Sequence, residues 1–171
     1  SESGDHNVTI DADIETNGGG LTAIGDNITQ KANADIRTDG GNITLIADED
    51  IKIDDDIRTA GGGVRFLAGG TFEVDDNGDD VETEGGSIIV IADDYDIGGT
   101  LNADTGFVSF SRSSQGDISL GDDLGGANLS QDELDNITAS DLIIGSSFGV
   151  DDDIRVGNAD LRAFEKTTLN N

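Results

Sequence analysis

The pattern Asp-[Ile/Val]-x-Thr-x-Gly-Gly begins at Asp13, Asp35, Asp56 and Asp80, so successive copies stand 22, 21 and 24 residues apart. No other feature limits the fold so tightly. A period of this length marks a unit too small to bury its own apolar face, which must stack on copies of itself. A degenerate copy, "TLNADTG" from Thr100 to Gly106, keeps Leu101 in the apolar slot. Behind each pair of glycines comes an apolar run, "LTAI", "ITLIA", "VRFLA", "IIVIA" and "FVSF", and then a shorter one, "NITQ", "IKI", "FEV", "YDI" and "ISL". "IKI", "FEV" and "ISL" alternate with the period 2 of a strand, and helical spacing is nearly absent. Three short strands per repeat, separated by Gly, Asn and Asp, predict an all-β fold. The expected architecture is a parallel β-helix (β-solenoid) of about seven coils, each of about 20–24 residues with three short strands. The rival, a β-sandwich, would not need identical residues at identical positions.

Residues 1–126 read as regular coils and 127–171 as divergent terminal coils of the same solenoid, in one continuous domain. "QDELDNI" within the second part suggests a helical turn, after which "DLIIG" and "DDDIRV" resume strands. The opening "SESGDHNV" reads as a processed end or a piece of a longer chain.

The chain carries 37 acidic and nine basic residues, a formal charge of -28, so nucleic acid and anionic membrane surfaces are not expected partners. Such acidity with few aromatics can mean disorder, but here Ile, Leu, Val and Ala fall in regularly spaced runs. No apolar run approaches the roughly 20 residues of a membrane helix. Cysteine is absent, which excludes a disulfide framework and thiolate metal sites.

One segment carries a resemblance. Leu129, Glu133, Leu134, Ile137, Ala139, Leu142, Ile144 and Gly145 follow the pattern Leu-x-x-x-Glu-Leu-x-x-Ile-x-Ala-x-x-Leu-x-Ile-Gly. This resembles the repeats of filamentous-haemagglutinin-like proteins, giant bacterial surface or secreted β-helix proteins often exported by two-partner secretion. The match covers the last third by motif and the rest by style. It implies an extracellular or cell-surface location.

Stacking assigns each row of the repeat a direction. Ile or Val points inward, so the preceding Asp and the following residue point outward and Thr points in again. Thr16, Thr38, Thr59 and Thr83 then form an internal ladder whose hydroxyls can satisfy one another, unlike the flat outer threonine array of an ice-binding face. Gly18, Gly40, Gly61 and Gly85 mark a corner with positive φ. Glu15, Arg37, Arg58 and Glu82 form an outward row expected to set each arginine beside an acid on the next coil.

Asp13, Asp35, Asp56 and Asp80 stack like charges at the strand spacing of about 4.8 Å. Each adjacent pair costs about 1 kcal/mol in bulk water and about 3–4 kcal/mol at an effective dielectric of 20. Raised pKa values, backbone amides donating to the carboxylates, or bound cations can relieve this. Hard oxygen donors without His or Cys favour calcium among biological metals. The candidate ligands are Asp75, Asp76, Asn77, Asp79 and Asp80 in "DDNGDD", together with Asp54 and Asp56. Solvated acidic corners with diffuse counterions are the alternative.

His6 is the only histidine, and aromatic platforms for sugar rings are lacking, so an enzyme is not expected. Asn7, Asn27, Asn42, Asn128 and Asn136 head Asn-x-Ser/Thr triplets, read as turn residues preceding strands before glycan acceptors. The expected role is a structural segment of an extracellular fibre or matrix filament that assembles head-to-tail with itself. The alternative is a stalk or recognition segment of an adhesin that binds a cell-surface glycan or host protein.

Overall fold

A computed structural model describes residues 6–122, 124–145 and 153–170. The first coil holds β1 (Val8–Ile10), β2 (Ile14–Glu15) and β3 (Leu21–Gly25). The second holds β4 (Ile28–Gln30), β5 (Ile36–Arg37) and β6 (Ile43–Ala47), and the third β7 (Ile51–Ile53), β8 (Ile57–Arg58) and β9 (Val64–Ala68). The fourth holds β10 (Thr71–Val74), β11 (Asp80–Glu82) and β12 (Ile88–Ile91). The fifth holds β13 (Asp94–Ile97), β14 (Thr100–Asn102) and β15 (Phe107–Ser111). Then follow β16 (Ile118–Leu120), β17 (Ala127–Leu129), the helix α1 (Gln131–Asp135), β18 (Ile137–Thr138), β19 (Asp141–Ile144), β20 (Ile154–Val156) and β21 (Lys166–Leu169).

Strands β1–β15, β18, β19 and β21 pair in parallel with their equivalents one coil away. Sheet A runs β1-β4-β7-β10-β13, sheet B β2-β5-β8-β11-β14-β18, and sheet C β3-β6-β9-β12-β15-β19-β21. The chain is thus the expected parallel β-solenoid of about seven turns. Its core is a set of registered columns, such as Ile36, Ile57, Val81, Leu101 and Ile137 in sheet B, all buried. Aromatic rings thicken the middle: Phe66 and Phe72 lie 4.5 Å apart, and Tyr95 meets Phe110 edge-on at 5.1 Å.

One run departs from the expected pattern. "ISL" (β16) leaves sheet A, which ends at β13, and forms a separate sheet in the order β17-β16-β20. The helical turn after it is real: Ser130 caps α1 in a reciprocal capping box with Glu133. Glu133 Oε1 also accepts the Ile97 amide at 3.1 Å, which ties α1 to the end of β13, and β17 packs next to β13.

The corner after sheet B uses two glycines for two reasons. Thr-x-Gly-Gly is a turn in which the second and third residues both have positive φ, as in Asp39 (48°) with Gly40 (100°) and Ala60 (50°) with Gly61 (102°). The last glycine is required by stacking. A Cβ on Gly41, Gly62, Gly86 or Gly106 would overlap the carbonyl oxygen of Gly19, Gly41, Gly62 or Gly86 respectively.

The inward threonines Thr38, Thr59 and Thr83 are buried as expected, but their hydroxyls do not satisfy one another. Each donates instead to the carbonyl three residues on, Gly41, Gly62 and Gly86, closing its own turn. A threonine three residues before that glycine reaches the carbonyl locally, whereas the next coil's hydroxyl is a full strand spacing away. On the outer face of sheet C, Ile24, Ile46, Leu67 and Ile91 stack in register, and Ile24 is 68% exposed.

Candidate cation site at the acidic corner

The corner between sheets A and B collects most of the candidate ligands. Side-chain oxygens in the turns take up backbone amides from the following coil. Asp13 Oδ1 accepts the Asp35 amide and Asp56 Oδ1 the Asp80 amide, each at 3.1 Å. Asp50 Oδ1 likewise accepts from Thr71 at 2.7 Å, Asn42 Oδ1 from Gly63 at 2.8 Å and Asn27 Oδ1 from Asp50 at 3.1 Å. Amide donation is therefore one of the reliefs this row uses. It also gives Asn27 and Asn42, two of the triplet asparagines, the turn role expected of them.

Fixed cations supply a second relief. Lys52 Nζ sits 2.7 Å from Glu73 Oε1, 3.3 Å from Asp54 Oδ1 and 3.5 Å from Asp75 Oδ2. Glu73, foremost by its hydrogen bond to the ammonium, holds the Lys52 pKa above the ordinary lysine value. Carboxylate oxygens of Asp54, Glu73 and Asp75 lie within 4.8 Å of one another, and the one ammonium serves all three. Arg58 bridges Asp56 at 2.7 Å and Glu82 at 2.8 Å. Arg37 departs from expectation: it pairs with Asp35 of its own coil, since the register sets it beside Arg58 as well as Glu15.

Another group of three has cations on two of its members, Arg37 on Asp35 and Arg58 on Asp56. Carboxylate oxygens of Asp35, Asp55 and Asp56 also lie within 4.8 Å of one another. Asp55 accepts the amides of Ala34 and Asp56. Burial raises the Asp35 pKa, with Asp55, Asp56 and Asp13 adding to the effect and Arg37 opposing it. Asp79 is 9% exposed and its Oδ2 is buried without a hydrogen-bond partner. Its pKa is raised by burial first, then by Asp55, Asp75, Asp54 and Asp56.

The loop Asp75–Asp80 therefore does not gather its acids around one point. Asp76 and Asn77 are exposed, and Asn77 Nδ2 donates to Asp75 Oδ1 at 2.5 Å. Asp76 lines a surface pocket of about 350 Å³ with Glu73, Asp75 and Asp96. Asp79 turns inward, and Asp80 follows as the first residue of β11. Lys52, Glu73, Asp35 and Asp55 join the corner although the loop motif does not contain them. Aligning "IKI" with "FEV" places Lys52 beside Glu73, so the repeat itself held that signal. His6 is exposed, and its backbone amide donates to Asp26 Oδ2 at 2.6 Å.

Comparison with models of known families, with curated proteins and with solved structures returns no match. No helix among the described residues is long and apolar enough to cross a membrane.

Proposed function

We propose that this chain is a structural segment of an extracellular or cell-surface fibre, a stiff solenoid that stacks end to end on further coils of its own kind. The observation that carries this reading is the open core at the first coil. Ile14, Leu21 and Ala23 are only half-buried, while their partners one coil later, Ile36, Ile43 and Leu45, are at most 1% exposed. Among the described residues β1, β2 and β3 each form the edge of a sheet, and an edge with free amides and carbonyls is a template for another strand. Burial of those side chains by a neighbouring copy would be a head-to-tail contact, the kind that builds open filaments. The strong negative charge opposes such stacking, and divalent cations, calcium among them, would offset it. The chain has no catalytic role in this reading.

Negative-stain electron microscopy of the purified chain, in EDTA and then in calcium, tests it. Filaments in either condition support end-to-end stacking, and isolated short rods in both overturn it.

A second reading rests on a different surface. The outward column Ile24, Ile46, Leu67 and Ile91 is an apolar stripe on a highly acidic molecule, and such patches mark contact with another molecule. It favours a recognition or stalk segment of an adhesin, whose partner would be a host protein or the apolar face of a surface glycan. Single rods that bind such a partner through this face, and lose binding in Leu67→Lys, would favour this reading over the fibre.

A further inference from the structure

We propose that Asn77 is a self-modifying site: the backbone nitrogen of Gly78 closes on the Asn77 side chain, whose amide is then converted with water to aspartate and isoaspartate. Neither the fibre nor the adhesin reading is needed for it. Deamidation of this kind is favoured where the following residue has no side chain, because a Cβ crowds the ring that forms and narrows the backbone's freedom to reach it. Two asparagines of the chain precede glycine, Asn17 and Asn77. Both are exposed, as are the glycines after them, so access to solvent does not separate the two.

The attacking nitrogen does separate them. It must leave any acceptor, lose its proton and swing toward the side-chain carbon. Gly18 N–H donates to the Thr38 carbonyl of the next coil at 2.7 Å, and the Thr16 amide before it donates to Arg37 at 3.0 Å. That turn belongs to the ladder that joins coils. Gly78 N–H makes no hydrogen bond among the described residues, and a Cβ built on Gly78 would meet nothing within 4 Å. Asn77 Nδ2 donates to Asp75 Oδ1 at 2.5 Å, a contact inside the same loop. The loop is tied at its ends instead. Asp75 N–H donates to the Ile53 carbonyl at 3.0 Å and Asp80 N–H to Asp56 Oδ1 at 3.1 Å, so residues between them can rearrange while β10 and β11 stay in register.

The reaction needs no co-reactant but water. The Gly78 nitrogen gives up its proton and bonds to Asn77 Cγ, closing a succinimide ring. The Cγ–Nδ2 bond breaks, and Nδ2 departs with that proton as ammonia. Water then opens the ring at either carbonyl carbon. Addition at Cγ restores the ordinary backbone with an aspartate, and addition at the main-chain carbon leaves the chain running through Cγ as isoaspartate. Each product gains a carboxylate, and isoaspartate also lengthens the main-chain path by a methylene. Asp75, Asp76 and Asp79 flank the site. Their charge opposes the nitrogen anion, so screening salt should speed the reaction.

Incubation of the folded chain in mildly alkaline buffer made with heavy-oxygen water, followed by peptide mass mapping, tests the proposal. The peptide containing Asn77 should exchange its amide for a carboxyl that carries a heavy oxygen, at least tenfold faster than the peptide containing Asn17. Enzymatic methylation specific for isoaspartate should label the same peptide. In urea, where Gly18 loses its bond to Thr38, the gap between the two sites should close. Gly78→Ala, whose added methyl meets open space, should suppress conversion at Asn77. Equal rates at the two sites in the folded chain, no conversion at Asn77, a gap that persists in urea, or undiminished conversion in Gly78→Ala would each overturn the site.

Discussion

Lys52 Nζ lies 2.7 Å from Glu73 Oε1, its register partner on the next coil, and within 3.5 Å of Asp54 and Asp75 as well. One ammonium holds three carboxylates in place. Lys52→Met should therefore cost more than a surface pair does, because it leaves three like charges together. The side chain is 36% exposed, so solvent screening keeps the loss to about 1–2 kcal/mol. Urea unfolding would measure it, with the difference shrinking at about 1 M salt, where screening lengths fall to about 3 Å.

Two glycines, one at a stacked corner and one in the loop Asp75–Asp80, predict two different costs. Gly62→Ala drives a methyl into the Gly41 carbonyl, and the resulting separation of coils should cost about 2–3 kcal/mol. Gly78→Ala meets open space and pays only for a φ of 93°, about 1 kcal/mol. Chemical denaturation of both variants checks the order, which reverses if φ alone governs these positions.

Thr59→Val keeps the shape and removes the hydroxyl that donates to Gly62. The expected loss is about 1 kcal/mol. Ala103 occupies the equivalent buried slot in the fifth coil, so folding should survive. A denaturation curve with unchanged slope and a lower midpoint is the expected result.

Acidification should first stabilise this protein. The folded-state pKa values of Asp35 and Asp79 are raised. Between the ordinary carboxylate value, about 4, and those raised values, the folded state binds more protons than the unfolded chain. Stability then falls as pH rises through that window and recovers as pH is lowered through it. Asp93 has the opposite sign. Burial would raise its pKa, but Ser114 and Ser113, with help from Arg112, lower it, so its contribution is present above the ordinary carboxylate value and lost only in stronger acid. Melting temperature should thus climb on moderate acidification from neutrality and drop in strong acid. Asp79→Asn should flatten the climb, and an unaltered profile in that variant would contradict the assignment.

The solenoid was legible because its signal repeats: Ile36, Ile57 and Val81 announce one buried column three times over, and period 2 sets their direction. The row Asp13, Asp35, Asp56 and Asp80 was equally plain as a charge problem. Its solution was less so, because amide donation from Asp80 to Asp56 and the reach of Lys52 to Glu73 depend on coil-to-coil register, which becomes visible only when repeats of unequal length are aligned. Asp79 was named for its loop, but its inward orientation follows from β11 beginning one residue later. The detour through β16 and β17 breaks the period, so no repeat could forecast that sheet A would end at β13 and a separate sheet would follow.

The second glycine of each corner touches only the carbonyl of the coil beneath, and the same glycine offers its own carbonyl to the coil above. Each layer is therefore both plug and socket of a single gauge. Genetic duplication or loss of one whole repeat would leave every remaining joint matched, whereas a gain or loss of one residue inside a strand would turn buried side chains outward. Length in such a molecule is inherited in whole rungs, and a lineage could lengthen or shorten the rod without inventing a new contact.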